Sequence, residues 1–263
     1  MVTWVIQTNF IDPIQISQII DVLDSNSIPY VGVHLLPFTD ELTLLGSLPE
    51  GNKVVPYGTC KLTRLAQLHN WTGMFFDEHK FRVDTWLKNR NDMLNGDVQI
   101  MTAKEAAVCF ASVPADDMYF IRPVKDLKEF NGTVTNAAEI SRWTKSVESG
   151  NFDVSEDTLV AISPAQKIHA EWRWFIVGGK VVSGSVYRMR GQKLVQREHD
   201  IDVINQAQSL ADKWLPHETC VMDVAYTPNG VKVIEFNCFN SSGFYYHDIN
   251  AIVLAVTKYL EGK

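Results

Sequence analysis

Cysteine is scarce and scattered in this chain. Cys60, Cys109, Cys220 and Cys238 include no C-x-x-C pair and have no histidine cluster beside them. That excludes a zinc site of the common Cys/His kind and gives no disulfide framework. The four are expected to be buried, reduced thiols, as suits a reducing compartment. Long apolar runs are lacking too. No segment approaches the ~20 apolar residues needed to cross a bilayer. The opening MVTWVIQTNF has neither a basic n-region nor a long apolar h-region, so no secretory signal is expected. A cytoplasmic protein with no membrane partner is the expectation. A basic excess is also missing: 24 Lys and Arg face 31 Asp and Glu, a formal net charge of -7. Nucleic acid is therefore not expected as a partner, because its backbone calls for a clustered basic surface. No repeat, low-complexity segment or Ser-His-Asp arrangement is discernible. What is present is 263 residues, 46% hydrophobic and 21% charged. That length suits one large or two small domains with a sizeable core.

The first third alternates short apolar runs with helical patterns. Residues 2–6 read as a buried strand. Pro13 opens a helix whose Ile16, Ile19, Ile20 and Leu23 follow the 3.6-residue period. Strands are expected at 28–36 and 53–56, an extended segment at 73–76, and helices at 60–68 and 81–91. This β-α rhythm predicts a small α/β domain over residues 1–97, ending near the Asn95-Gly96 turn. Residues 98–263 change character, with a strand at 118–122, a helix at 136–147, two antiparallel hairpins, a helix at 203–214 and a closing helix at 249–260. They predict an α+β region of two lobes, about 98–165 and 166–263.

The second hairpin carries the most chemistry. Pro228-Asn229-Gly230 suits a three-residue bulged turn. In that register Asp223 faces Glu235, and Asn237 follows on the same face of its strand. Opposed side chains originate only about 5 Å apart, so two carboxylates there repel unless a cation lies between them. Two carboxylates and an amide oxygen form a hard, oxygen-only set suited to magnesium. A two-residue turn would instead send Asp223 to the other face. The spacing also fits a surface hairpin with acids on its wet side. The apolar flanks Val221, Met222, Val224, Ile234 and Phe236 favour a central position, and the polar run Asn240–Gly243 that follows is of the kind that approaches a ligand.

In the first hairpin, Gly178-Gly179 fits a two-residue turn. Its register puts Glu171 and Arg173 on one face with Gly184, Val186, Arg188 and Arg190. Trp172, Trp174 and Ile176 fall on the other with Val181, Ser183 and Tyr187. The arginine face matches a polyphosphate or, equally, a solvated Glu–Arg surface, and the tryptophans read as core. Upstream, Arg122-Pro123 ends an apolar strand. Arg122, Lys125 and Lys128 there suit one anionic ligand or three solvated positions around a turn.

These pieces, in this order, resemble the ATP-grasp superfamily of ATP-dependent carboxylate–amine and carboxylate–thiol ligases. Arg122-Pro123 stands where that family usually has Lys-Pro, and residues 159–168 stand at its adenine hinge. Glu171-Trp-Arg173 matches its Glu-x-Arg strand, and Asp223…Glu235-Phe-Asn237 its metal hairpin. Arginine in the Lys-Pro slot, followed by Asp126-Leu-Lys128-Glu-Phe130-Asn-Gly132, looks like a clade known mainly from phages and bacteria. The mobile loop has only Gly132, and no ribose-binding acid is identified in the hinge. The resemblance spans roughly residues 100–263, and residues 1–97 look like the small domain that precedes the grasp fold in many relatives. It implies ATP between two α+β lobes and magnesium on Asp223, Glu235 and Asn237. Arg122, Lys125, Lys128, Glu171, Arg173 and, as a candidate second phosphate lysine, Lys104 would contact the nucleotide. Arg173 and Arg188 would act at the transferred phosphoryl group. A carboxylate would take the γ-phosphate and an amine would displace it, on small-molecule or peptide substrates. Arg188, Arg190 or Asn240–Gly243 would hold the acceptor carboxylate. The alternatives are a non-catalytic nucleotide-binding protein of the same fold and a metal-dependent phosphodiesterase.

Overall fold

The computed structural model describes residues 1–9, 12–36, 39, 41–125, 130–147 and 154–263, without the side chains of 143–147. In chain order, residues up to 77 form β1 (Val2–Gln7), α1 (Pro13–Ser25), β2 (Tyr30–Leu35), β3 (Leu42–Leu44), β4 (Lys53–Tyr57) and α2 (Cys60–Leu68). Then come α3 (Val83–Asn89), β5 (Gln99–Thr102), α4 (Ala103–Phe110), β6 (Met118–Pro123), β7 (Thr133–Asn136), α5 (Ala137–Val147) and β8 (Leu159–Pro164). The last part holds β9 (Ala170–Val177), β10 (Lys180–Met189), β11 (Gln192–Arg197), α6 (Ile201–Ala211), β12 (Cys220–Thr227), β13 (Gly230–Asn237) and α7 (Ile249–Glu261). Packing divides these into two compact units. The first joins Met1–Asp77, Ala170–Val224 and Phe236–Lys263; the second joins Glu78–His169 and Ala225–Glu235.

In the first unit, β1 pairs in parallel with both β2 and β4. Every residue of β1 is buried, as a strand covered on both faces requires. Pro13 occupies the first turn of α1, and Asp12 caps it by accepting from the Gln15 backbone N–H at 3.1 Å. Ile16, Ile19 and Leu23 of α1 join Val2, Trp4 and Ile6 in a core shared with Phe175, Val221, Phe239, Phe244 and Val253. Trp4 Nε1 donates to Thr257 Oγ1 at 3.0 Å. The beginning and end of the chain thus bury one apolar surface. This is why the packing units differ from a cut at residues 97 and 165.

The second sheet has the order β11-β10-β9-β12-β13. The chain leaves the first unit within β12 and re-enters it within β13. Gly178 and Gly179 both have positive φ, the two-residue hairpin expected. The register holds only as far as Val181 opposite Ile176, then shifts near Val182 and again near Tyr187. Extra residues on β10 invert the expected faces. Ser183 lies opposite Phe175 and Ser185 opposite Arg173, while Gly184 and Val186 oppose Trp174 and Trp172. Gly184 therefore belongs to the tryptophan face. An added Cβ there would lie 2.1 Å from the Trp174 ring. The second shift sets Arg188 opposite Glu171. Arg190 is not on the arginine face: it takes φ +50 in the turn between β10 and β11, with Gly191 at +77.

The second unit contains the antiparallel sheet β5-β8-β6-β7. Ala106 and Phe110 of α4 pack with Ala137 and Ile140 of α5 against Ile121, Val160 and Ile162. A reciprocal capping box between Thr102 and Glu105 starts α4. Gly230 takes φ +93 at the head of β13, and Thr227 Oγ1 donates to its carbonyl at 2.8 Å. Two expectations fail. Residues 73–76 form no strand; Gly73 turns so tightly that a Cβ would lie 2.6 Å from the Val54 carbonyl. Cys220 and Cys238 are buried, but Cys109 is exposed and Cys60 half-buried. Cys109 falls on the outer side of α4, whose buried positions are Ala103, Ala106 and Phe110.

Candidate functional site

Two arginine–carboxylate clusters hold most of the residues singled out in the sequence, one in each unit. In the first unit, Arg173 grips Asp223 through both edges, Nε to Oδ1 at 2.8 Å and Nη2 to Oδ2 at 2.7 Å. Arg173 is 9% exposed and Asp223 2%. The two strands are neighbours in the sheet, and the fork makes two parallel charge-assisted bonds. Asn237 Nδ2 reaches Asp223 Oδ2 at 3.3 Å. Arg188 Nη1 meets Glu171 Oε1 at 3.2 Å. The second shift in β10 brings this pair together.

Two aromatic residues complete the cluster. The Arg173 guanidinium lies 4.8 Å from the centre of the Tyr245 ring, a cation–π geometry. Tyr245 adopts φ +44, uncommon for a bulky side chain. Tyr187, expected among the tryptophans, lies instead beside Tyr245, with ring centres 6.0 Å apart. Burial, followed by the negative charges of Asp223 and Glu171, pushes its hydroxyl pKa far up. It therefore remains a neutral hydrogen-bonding group at working pH.

In the second unit, Arg122 Nη1 contacts Glu235 Oε2 at 2.6 Å. Arg122 is 8% exposed, and its guanidinium lies 5.0 Å from the centre of the Trp86 ring. Its place on β6, opposite Ala161 of β8, holds it in the sheet while Trp86 supports the cation. Lys125 is half-exposed, 3.8 Å from Glu78. Lys104 is exposed in the first turn of α4 and pairs with Glu156 at 2.9 Å. Lys128 lies outside the described residues. No group of three or more His, Cys, Asp or Glu side chains suited to a metal occurs among the described residues. The expected magnesium set, with two acids and one amide, has a different composition.

The polar run after β13 proves largely structural. Asn240 is buried; its Nδ2 donates to the carbonyls of Pro56 and Gly73 at 2.7 and 2.9 Å, and its Oδ1 accepts from the Phe75 backbone at 2.9 Å. Ser242 donates to the Cys238 carbonyl at 2.7 Å. Sequence reading missed Trp86 and Tyr245, since apolar rings beside arginines carry no spacing signal. The chemical result is that Asp223 and Glu235 each bear an anchored guanidinium. Asp223, Glu235 and Asn237 still offer oxygen donors of the hard type that magnesium takes.

Comparison with known proteins agrees with this arrangement. Residues 80–256 match the model of an ATP-grasp domain, family 3 of the R-to-K clade. No curated protein matches. Among solved structures, D-alanine–D-alanine ligase from Bacillus anthracis aligns over 100% of this chain and 98% of its own, at TM-score 0.64 and 11% identity. The D-cycloserine synthetase DcsG aligns over 98% and 99%, at TM-score 0.62 and 12% identity. The ATP-grasp ligase PsnB, complexed with a phosphomimetic variant of minimal precursor, Mg and ADP, aligns over 98% of both chains at TM-score 0.59 and 12% identity.

Proposed function

The chain belongs to the ATP-grasp family, in family 3 of the R-to-K clade, and from that premise we propose that it is an ATP- and magnesium-dependent carboxylate–amine ligase. Its substrates would be amino acids, peptides or protein ends. The observation that carries this reading is the state of the two acids. Asp223 and Glu235 lie on consecutive strands, and each is charge-compensated by a buried or nearly buried arginine. With that compensation both acids persist as carboxylates, the form a metal requires.

Asp223, Glu235 and the amide oxygen of Asn237 would hold magnesium, which when bound supplies charge neutralisation on phosphate oxygens. Arg122 and Arg173 would add fixed positive charge for the triphosphate, and Arg188 for the transferred phosphoryl group. Lys125, Lys128, Glu171 and Lys104 remain the further nucleotide contacts in this reading. A substrate carboxylate would attack the γ-phosphorus and ADP would leave, producing an acylphosphate. The amine would then attack the acyl carbon and expel phosphate. Phosphoryl transfer rests chiefly on positioning and charge stabilisation, which these residue types supply. PsnB, described with a precursor, Mg and ADP, and D-alanine–D-alanine ligase support the substrate class by analogy only.

The test is Glu235→Gln, which keeps shape and removes charge. It is expected to lower magnesium-dependent ADP formation by on the order of 100-fold or more, while circular dichroism stays unchanged. Turnover near that of the unaltered protein would sink the metal assignment. The ion pairs on both acids also suit a non-catalytic nucleotide binder. Magnesium-dependent ATP binding without ADP formation, across a panel of acids and amines, would favour that second reading.

A further inference from the structure

The first unit contains a cleft of about 820 Å³, lined among others by Asp12, Gln15, Arg197, Tyr245, Tyr246 and His247. Its size falls within the range of small-molecule sites. Arg197 closes β11. Its Nη1 meets Asp248 Oδ2 at 3.1 Å, and its Nη2 donates to the His247 carbonyl at 3.3 Å. These contacts fix the guanidinium while engaging two of its five N–H donors. The side chain remains 41% exposed. An anchored fork with donors to spare suits a carboxylate.

Asp12 supplies the opposite charge. Only its Oδ1 serves the cap of α1, and the residue is exposed. Tyr245 and Tyr246, 51% and 68% exposed, add aromatic surface with polar tips. His247 is 4% exposed; its Nδ1 meets Ser183 Oγ at 3.1 Å, while its Nε2 has no partner among the described residues. Such an atom calls for an explanation, and a ligand in the cleft provides one. Burial, then the charges of Arg173 and Arg197, depress its pKa to about 3. The imidazole is therefore neutral, and Arg197 is the cation lining this cleft.

The cleft also connects to the acids. Tyr245 lines it and lies over Arg173, which grips Asp223. The left-handed backbone of Tyr245 is the kind of strain that collects at ligand clamps.

We propose that this cleft binds the amine-bearing substrate as a small zwitterion, an amino acid or a short peptide with both ends free, with its carboxylate on Arg197 and its ammonium on Asp12. The role as second substrate rests on the ligase reading above; the binding chemistry does not.

Calorimetry without nucleotide tests it, using racemic leucine, racemic leucyl-leucine, and the C-terminal amide and N-acetyl form of each. At least one free form is expected to bind at least tenfold more tightly than its blocked counterparts, and which one binds separates amino acid from peptide. Arg197→Gln should weaken the free form to the level of its amide while leaving amide binding unaltered. A collapsed cleft would weaken both. Asp12→Asn should do the same for the free and N-acetyl pair. Equal binding of free and blocked forms, or no binding by any, overturns the proposal. The comparison on the unaltered protein stands even if a variant fails to fold. Because no ATP is present, failure here leaves the ligase reading intact, and loss of ADP formation in Glu235→Gln leaves this binding measurable.

Discussion

Neutral burial of His247 makes one residue a source of acid sensitivity. Its folded pKa is pushed down to about 3 by desolvation first, then by Arg173 and Arg197; an unfolded histidine titrates near 6.5. Between those values the unfolded chain binds the extra proton. Stability from this residue is therefore complete above about pH 6.5 and is lost as pH falls toward 3, by about 1.4 kcal/mol per unit at most. Two measurements follow. The urea midpoint should drop between pH 7 and pH 5, and the His247 ring signals in NMR should stay at their neutral positions across that range. Ring titration near 6.5 would show that the imidazole is reached by water and refute the assignment. Arg173 behaves differently. Its bidentate grip on Asp223 leaves a buried charge unpaired if either partner is truncated, which typically costs about 3–5 kcal/mol. Lost activity in Arg173→Ala would thus confuse folding with chemistry. Glu235, more exposed than Asp223, with a side-chain accessibility of 25% against 3%, is the safer probe.

At the scale of elements, β10 decides which side chains meet the site. Its shifts near Val182 and Tyr187 move Ser183 and Ser185 to the Arg173 face and Gly184 under Trp174. Gly184→Ala should therefore lower stability by about 1–3 kcal/mol, the usual cost of forcing volume into a packed strand, as read from the urea midpoint. An unchanged midpoint would mean that Trp174 has room to retreat. Nothing in Lys180–Met189 marks which residues are extra. Alternation therefore carried the hairpin and its turn but not its faces. The helices were more legible. Ile16, Ile19 and Leu23 declare α1, and the buried stripe of α2, Leu62, Leu65 and Ala66, does the same. The strands β3, β5, β7 and β11 escaped because they are short and largely uncovered. For α4 a signal was present, since Thr102-Ala-Lys-Glu105 is a capping-box sequence. Of the candidate site, the strand positions of Arg122, Arg173, Asp223 and Glu235 were readable. Their partners were not: Arg122 and Glu235 are 113 residues apart, and no local pattern encodes such a pairing.

Across the whole molecule, the sequence rhythm and the packing divide the chain in different places. The rhythm changes near residue 97, where β-α alternation gives way to hairpins. The first packing unit nevertheless crosses that point, because β1 and α1 cover the same apolar surface as α7 and β9. Polar ties reinforce the cover. Lys53 Nζ donates to the Leu260 carbonyl at 2.9 Å, and Gln15 donates to Tyr57, whose hydroxyl donates to the Ser242 carbonyl at 2.6 Å. A fragment of residues 98–263 would keep the matched strands of the grasp fold but expose Phe175, Phe239, Phe244, Val253 and Val256, all now fully buried. Full burial of each such side chain contributes about 1.5–3 kcal/mol, so exposing five removes on the order of 10 kcal/mol, comparable to the whole stability of an ordinary domain. The fragment is therefore expected to lack near-UV circular dichroism, to bind a hydrophobic dye and to melt without a cooperative transition, while the full chain melts cooperatively. A sharp transition in the isolated fragment would show that this apolar face closes on itself, and that the boundary visible in the sequence at 97 is a folding boundary as well.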